Sequence, residues 1–200
     1  MNISNLLGAL AGVAALLAYA AYLRQALRGE STPNPASWGI WFLAGIINAF
    51  TYFSVVKGNI WQSLFVIAVT VSVGVVLCYA LLKGRFSKIT GVEKIIFALA
   101  LCVGLFWQLT TNDRIANLLL QGIYMISYIP TLVALINARA RERPTSWLIA
   151  MCSYTLATAA VASNFSGDWI AFISPVVNGL VGNGLVLTVI MGKKQNWFST

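Results

Sequence analysis

Residues 60–82 read IWQSLFVIAVTVSVGVVLCYALL, a run of twenty-three positions without a charged side chain. At about 1.5 Å of rise per residue, a helix of this length extends about 34 Å, which exceeds the roughly 30 Å of a bilayer's hydrocarbon core. A backbone in lipid must satisfy its own hydrogen bonds within the segment. The run is therefore predicted to be a transmembrane helix rather than a strand of an open sheet.

Similar apolar runs lie on both sides of this stretch. Together they predict seven transmembrane helices, at Ile3–Leu23, Trp38–Val56, Ile60–Leu82, Ile95–Thr111, Ile115–Ile136, Trp147–Ser163 and Trp169–Met191. The whole chain is 59% hydrophobic and 9% charged, with a mean hydropathy of +0.81. Because an average soluble domain has about 25% charged residues, this composition excludes a water-soluble protein.

The net charge of +8 is unevenly distributed between the loops. Only Lys57 and Arg114 lie on one side of the predicted bundle. The other basic residues occupy alternate loops and the C-terminal end: Arg24, Arg28, Lys83, Arg85, Lys88, Lys94, Arg139, Arg141, Arg143, Lys193 and Lys194. The positive-inside rule then predicts a multi-pass protein with its N-terminus outside and its C-terminus in the cytoplasm. The charge is an orientation signal, so lipid rather than nucleic acid is the expected partner of these loops.

The sequence also contains an internal repeat. A shift of 109 positions aligns residues 19–85 with residues 128–194 without a gap. The matched pairs are Tyr19 and Tyr128, Leu23 and Leu132, Pro35 and Pro144, Ser37-Trp38 and Ser146-Trp147, Ile40 and Ile149, and Gly58 and Gly167. The shift moves each helix by four positions in chain order, and an even displacement leaves both copies pointing the same way.

Parallel repeats are one arrangement by which transporters place a substrate site between two halves. The predicted fold is therefore an all-α membrane protein in which two parallel three-helix bundles are joined by a linker helix. Residues 1–86 form the first repeat, residues 87–112 the linker loop and fourth helix, and residues 113–200 the second repeat.

This topology resembles the SWEET sugar carriers and the wider PQ-loop superfamily. The local resemblance is carried by Ser127-Tyr128-Ile129-Pro130-Thr131, a basic loop and then Pro144-Thr145-Ser146-Trp147, and in the first half by residues 19–25 and Pro35-Ala36-Ser37-Trp38. Pro130 is followed by Thr rather than Gln, and Ala21 stands in place of the first-half proline. The chain is thus similar to a divergent bacterial PQ-loop-like protein, which implies an inner-membrane location and halves that rock against each other.

Polar side chains at mid-depth in a bilayer are costly unless they pair or line a cavity, so they are the candidates for function. The predicted substrate-binding residues are Asn48, Tyr124, Tyr128, Thr155, Asn178 and Asn183, with Gln121 beside them and Gln108 a weaker candidate. The resemblance implies an Asn on the third helix of each repeat, which Asn178 or Asn183 supplies only in the second copy. The alternative is that these amides only hydrogen-bond between helices.

Several residues have expected structural roles. Pro130 and Pro175 lie inside the fifth and seventh helices and are candidate hinges, because proline removes a helical hydrogen bond and kinks the chain. Gly8 and Gly12 form a GxxxG pattern that predicts close helix packing. Four tryptophans near helix ends are expected in the headgroup belt, and three cysteines are expected in the core. These residues are Trp38, Trp61, Trp147 and Trp169, and Cys78, Cys102 and Cys152.

Missing residues narrow the function further. All five acidic residues map to loops or helix ends, so no carboxylate relay at mid-depth is expected and facilitated diffusion is favoured over ion coupling. These residues are Glu30, Glu93, Asp113, Glu142 and Asp168. The chain has no His, and neither a nucleophile–base pair nor a metal-ligand set is recognisable, so no enzyme activity, metal or cofactor is expected. The seventh helix has no Lys before Lys193, which excludes a retinal-binding opsin.

The predicted function is facilitative uptake or efflux of a small neutral or zwitterionic solute, sugar-like or another metabolite, by alternating access. The alternative is a non-transporting receptor, scaffold or partner subunit built on the same bundle. The sequence leaves open whether the protein forms a homo-oligomer.

Overall fold

The computed structural model describes residues 2–83, 91–165 and 167–192, and this part of the chain forms seven long helices. They are α1 (Ile3–Leu27), α2 (Pro35–Val55), α3 (Ile60–Lys83), α4 (Gly91–Thr110), α5 (Asp113–Ile136), α6 (Pro144–Ser163) and α7 (Ile170–Gly192). Each is long and apolar enough to cross a membrane. The prediction of a multi-pass, seven-helix membrane protein is confirmed.

Helices α2 and α6 begin three residues earlier than hydropathy predicts. Both start with a proline, Pro35 and Pro144, at the first helical turn. Proline is favoured there because its missing N–H would be unpaired in any case. Asn34 caps α2, since its Oδ1 accepts a hydrogen bond of 2.9 Å from the backbone N–H of Ala36. Polar starts of this kind add little hydrophobicity and so are invisible to a count of apolar residues.

The helices pack as a bundle with one peripheral member. Helix α1 lies against α3 and α6, α2 lies between α3 and α5, and α7 contacts α5 and α6. Helix α4 contacts only α2 and α5 among the described elements, and its buried residues are confined to one stripe. The prediction for the glycine pair on α1 is confirmed, because a Cβ at Gly8 would meet the Trp61 carbonyl oxygen at 2.6 Å.

Large apolar side chains cover the outer surface of the bundle, as expected of a surface that meets lipid. Cys78, Cys102 and Cys152 lie on this surface and are exposed, so their predicted place in the core is wrong. A lipid-facing position accepts a small apolar residue as readily as a core does, and composition alone does not separate the two.

Two ends of the bundle are distinguished by their loops. At one end the loop after α1 meets the loop after α5, where the Thr32 backbone N–H donates to the Arg141 carbonyl at 2.8 Å. This end carries Arg24, Arg28, Arg139, Arg141 and Arg143, and is called the basic end below. Arg85, Lys88, Lys193 and Lys194 lie outside the described residues. At the opposite end, Arg114 pairs with Asp168 at 3.3 Å.

Candidate functional site

A cavity of about 50 Å³ lies inside the bundle, in the half nearer the basic end. Every helix except α4 contributes to its wall. The lining residues are Ala18, Tyr19, Tyr22, Trp38, Trp41, Gly45, Val69, Thr70, Val73, Tyr124, Tyr128, Ser146, Trp147, Ala150, Tyr154, Asn178 and Asn183. One water requires about 10–15 Å³ by this measure, so the cavity has room for a few waters or a compact organic group.

The wall is largely aromatic. Eight rings surround the cavity and are called the aromatic cage below: Tyr19, Tyr22, Trp38, Trp41, Tyr124, Tyr128, Trp147 and Tyr154. Successive rings touch, with centroids 5.2 Å apart for Trp38 and Trp41 and 5.0 Å apart for Trp41 and Tyr128. These spacings fall in the range of favourable aromatic pairs.

Two of the four tryptophans that were predicted to lie in the headgroup belt lie in the aromatic cage instead. Trp38 and Trp147 are only 4% and 6% exposed and face the cavity, so a place in the headgroup belt is wrong for both. Each follows the first-turn proline of its helix by three residues, and the side of the helix on which it lies turns it inward. Trp61 and Trp169, in contrast, are exposed.

Four of the predicted substrate-binding residues line the cavity: Tyr124, Tyr128, Asn178 and Asn183. The Tyr128 hydroxyl donates to the Asn178 carbonyl oxygen at 3.1 Å, and the Asn183 Nδ2 donates to the Gly179 carbonyl at 2.6 Å. The first bond ties α5 to α7, and the second is internal to α7. These residues therefore shape the wall from two adjacent helices.

Helix α7 is irregular where it meets the cavity. Residues Ser174–Gly182 form a π-helical segment that begins next to Pro175 and contains Asn178. Such segments widen the helix and occur often at functional sites. The predicted irregularity at Pro175 is thus present, whereas Pro130 lies within a continuous α-helical α5. Whether either proline acts as a hinge stays a prediction.

Glycines in this segment create space for the cage. A Cβ at Gly179 would overlap the ring of Tyr154, and a Cβ at Gly182 would overlap the ring of Tyr128. Only a residue without a side chain lets α7 approach both tyrosines at this distance. The glycine-rich pattern of α7 is therefore part of the cavity wall.

The other two predicted site residues lie elsewhere. Asn48 belongs to a buried amide cluster between α2 and α5, formed by Asn48, Thr51, Asn117 and Gln121. There the Asn117 Nδ2 donates to the Asn48 Oδ1 at 2.8 Å. Thr155 is exposed on the outer face of α6, and its hydroxyl donates to the Met151 carbonyl at 2.9 Å.

The amide cluster joins two helices rather than lining the cavity. Within it, the Gln121 Nε2 donates to the Asn117 carbonyl at 3.1 Å. The Gln121 Oε1 has no hydrogen-bond partner among the described residues, although it is buried. The hydrogen bonds that the other groups of the cluster make across the interface form a polar bridge between α2 and α5.

Sequence reasoning missed a buried carboxylate at the basic end. Glu142, in the loop before α6, is 1% exposed and accepts from the Tyr22 hydroxyl at 2.7 Å and the Trp147 Nε1 at 3.2 Å. Burial raises its pKa to about 7, although the hydrogen bonds from Tyr22, Trp147, Ser31 and Thr32 oppose this shift. The carboxylate thus hydrogen-bonds two rings of the aromatic cage without itself lining the cavity.

The described residues include no cluster of three His, Cys, Asp or Glu side chains. No protein-family model, curated protein or solved structure matches the chain. The function is therefore inferred from the cavity and from the residues that enclose it.

Proposed function

We propose that the protein is a facilitative membrane transporter for the uptake or efflux of a small neutral or zwitterionic solute, working by alternating access. The observation that carries this proposal is the uncharged cavity between α1–α3 and α5–α7. Small-molecule sites are typically concave and apolar, with a few polar groups that fix orientation, and the cavity has this character.

The predicted two-repeat arrangement supports the proposal through equivalent local structures. Gly58 and Gly167, which are 109 positions apart, both have a left-handed backbone, with φ of +74° and +86°. Tyr19 and Tyr128 both line the cavity. With α4 peripheral, these pairs fit two parallel three-helix halves and a linker helix, as in the SWEET-like and PQ-loop proteins that the sequence resembles.

Alternating access requires contacts at each end that break in turn. At the basic end, Arg143 pairs with Glu30 at 3.3 Å, and the Ser146 hydroxyl donates to the Gln25 Oε1 at 2.9 Å. At the opposite end, the Ser4 hydroxyl donates to the Ala160 carbonyl at 2.8 Å. Each of these contacts joins a residue of the first half to one of the second. Opening one set while the other holds would expose the cavity to one side only.

The test is solute flux into liposomes that contain the purified protein. A broad panel of sugars, amino acids and other small metabolites should include at least one solute that enters faster than into empty liposomes. The double variant Asn178→Ala with Asn183→Ala should lower that flux about tenfold, since it removes two polar groups from the wall.

The matched control is Thr155→Ala, which removes a polar group from the exposed face of α6. It should transport at the normal rate. If no solute in the panel enters faster than into empty liposomes, the carrier proposal is wrong and a non-transporting role replaces it.

A further inference from the structure

The composition of the cavity wall restricts the solute. Of its seventeen residues, eight are Tyr or Trp and none is charged. The faces of these rings carry partial negative charge and attract cations, and proteins commonly use this effect to bind quaternary ammonium groups in aromatic cages. The wall therefore favours a positively charged group even though it contains no carboxylate.

Four hydrogen-bond donors in the wall already bond within the protein. The Tyr22 hydroxyl donates to Glu142 at 2.7 Å, and the Tyr128 hydroxyl donates to the Asn178 carbonyl at 3.1 Å. The Trp41 Nε1 donates to the Ser127 hydroxyl, and the Thr70 hydroxyl to the Val66 carbonyl at 2.8 Å. A solute rich in hydroxyls would compete with these bonds. A quaternary ammonium group, which has no N–H, needs none of them.

Glu142 adds negative charge behind the cage without entering the cavity. Its carboxylate accepts hydrogen bonds from Tyr22 and Trp147, and its ionisation makes both rings more electron-rich. The groups that face it are the Tyr22 ring on α1, the Trp147 ring on α6, and Ser31 and Thr32 in the loop after α1. Arg141 and Arg143 flank it in the chain, and Arg143 pairs with Glu30 at 3.3 Å.

We infer that the aromatic cage binds the quaternary ammonium group of a small solute through cation–π contacts. This inference names the substrate class of the carrier and so rests on the proposed function. The same group occurs in a cation, choline, and in a zwitterion, glycine betaine. The cavity, with space for a few waters, matches the ammonium end of either molecule rather than a larger solute.

The first experiment measures equilibrium binding of radiolabelled choline to the purified full-length protein at pH 8. Unlabelled choline, glycine betaine and dimethylbutanol, the neutral tert-butyl analogue of choline, serve as competitors. Choline should compete at least about tenfold better than dimethylbutanol, because the two have nearly the same shape and differ in charge. Betaine competing as well as choline would identify the bound group as the shared ammonium of a zwitterionic solute. Weaker competition by betaine would keep the cage inference but would replace the neutral or zwitterionic solute of the carrier proposal with a cation.

The second experiment separates the ring from its hydroxyl. Tyr19 is half-buried and lines the cavity, so Tyr19→Leu removes a cage ring whereas Tyr19→Phe keeps it. The Leu variant should bind choline about tenfold more weakly, and the Phe variant nearly as well as the wild type. At Trp38, which has no hydroxyl, the Leu variant removes an aromatic ring and the Phe variant keeps a smaller one, and the same order of binding is expected. Trp169→Leu, which changes an exposed tryptophan, is the control and should bind normally.

The outcomes distinguish this inference from the carrier proposal. Transport of other solutes without choline or betaine binding, or equal competition by choline and dimethylbutanol, would overturn the cage inference alone. Equal losses in the Phe and Leu variants of both Tyr19 and Trp38 would also overturn it. Cage-dependent binding of choline without flux into liposomes would support the cage inference and remove the carrier proposal.

Discussion

At the scale of single residues, the burial of Glu142 makes the stability of the protein depend on pH. A carboxyl group prefers to be ionised in water, but this one is enclosed by Tyr22, Trp147 and the loop after α1. Burial therefore raises its pKa from 4.5 to about 7. The folded protein binds this proton more tightly than the unfolded chain does, and its stability depends on pH accordingly.

The sign of this dependence follows from the raised pKa. The stabilisation from the bound proton is complete below pH 4.5 and is lost as the pH rises to about 7. The loss is on the order of 3 kcal/mol. Melting curves of the detergent-solubilised protein between pH 5 and pH 8 should therefore show falling stability.

Glu142→Gln provides the matched comparison, because a neutral side chain of the same shape has no proton to lose. Its melting temperature should fall less than that of the wild type over this pH interval. All other acidic residues are the same in both proteins, so the difference in slope reports Glu142 alone. Parallel curves would show that this carboxyl group titrates normally.

At the scale of secondary-structure elements, helix α7 depends on where its glycines lie. Gly182 faces the ring of Tyr128, whereas a Cβ at Gly184 would meet nothing within 4 Å. The two residues are two positions apart in the same helix and differ in surroundings. Packing, not helix propensity, should therefore decide the effect of an added methyl group.

Gly182→Ala should destabilise the protein by about 1–3 kcal/mol, since the methyl group must displace a buried ring. Gly184→Ala should be neutral or slightly stabilising, because alanine favours a helix by about 1 kcal/mol over glycine. Melting temperatures of the two variants test this difference. A similar shift in both would mean that α7 does not contact Tyr128 this closely.

The element scale also shows which features the sequence allows one to predict. Hydropathy predicts all seven helices, because a spanning helix needs an apolar run of a definite length. The inward direction of Trp38 and Trp147 could not be predicted in this way, since a helix that is apolar on all sides gives no sign of which face meets lipid. The same limit explains Asn48 and Thr155, which were expected at one site and lie in a helix bridge and on the outer face.

Contacts between distant loops are also beyond pattern analysis. Glu142 looks like an ordinary loop residue in the sequence, and only the approach of the loops after α1 and α5 buries it. The sequence repeat does bear on the aromatic residues. The 109-residue shift aligns Tyr19 with Tyr128 and Trp38 with Trp147. Paired aromatic residues in two repeats could have suggested a shared aromatic wall.

At the scale of the whole molecule, the basic end should open during transport. The Thr32 backbone N–H and the Arg141 carbonyl join the two loops there at 2.8 Å. Cysteines at these two positions, in a background with Cys78, Cys102 and Cys152 replaced by Ser, should form a disulfide on oxidation. Transport should then stop and should return on reduction.

Each single cysteine, Thr32→Cys or Arg141→Cys, is the control and should keep its activity under oxidising conditions. Liposome flux before and after oxidation gives the comparison. Full activity of the cross-linked protein would show that these loops do not separate during the transport cycle.

The position of Trp38, Trp41 and Trp147 in one wall has a practical consequence for spectroscopy. Indole emission shifts to longer wavelength when water reaches the ring, and these three rings line the same cavity. A change in hydration or occupancy of the cavity therefore alters the ultraviolet fluorescence of the native chain. Time-resolved emission can therefore report whether water or a solute enters the cavity, without an attached dye.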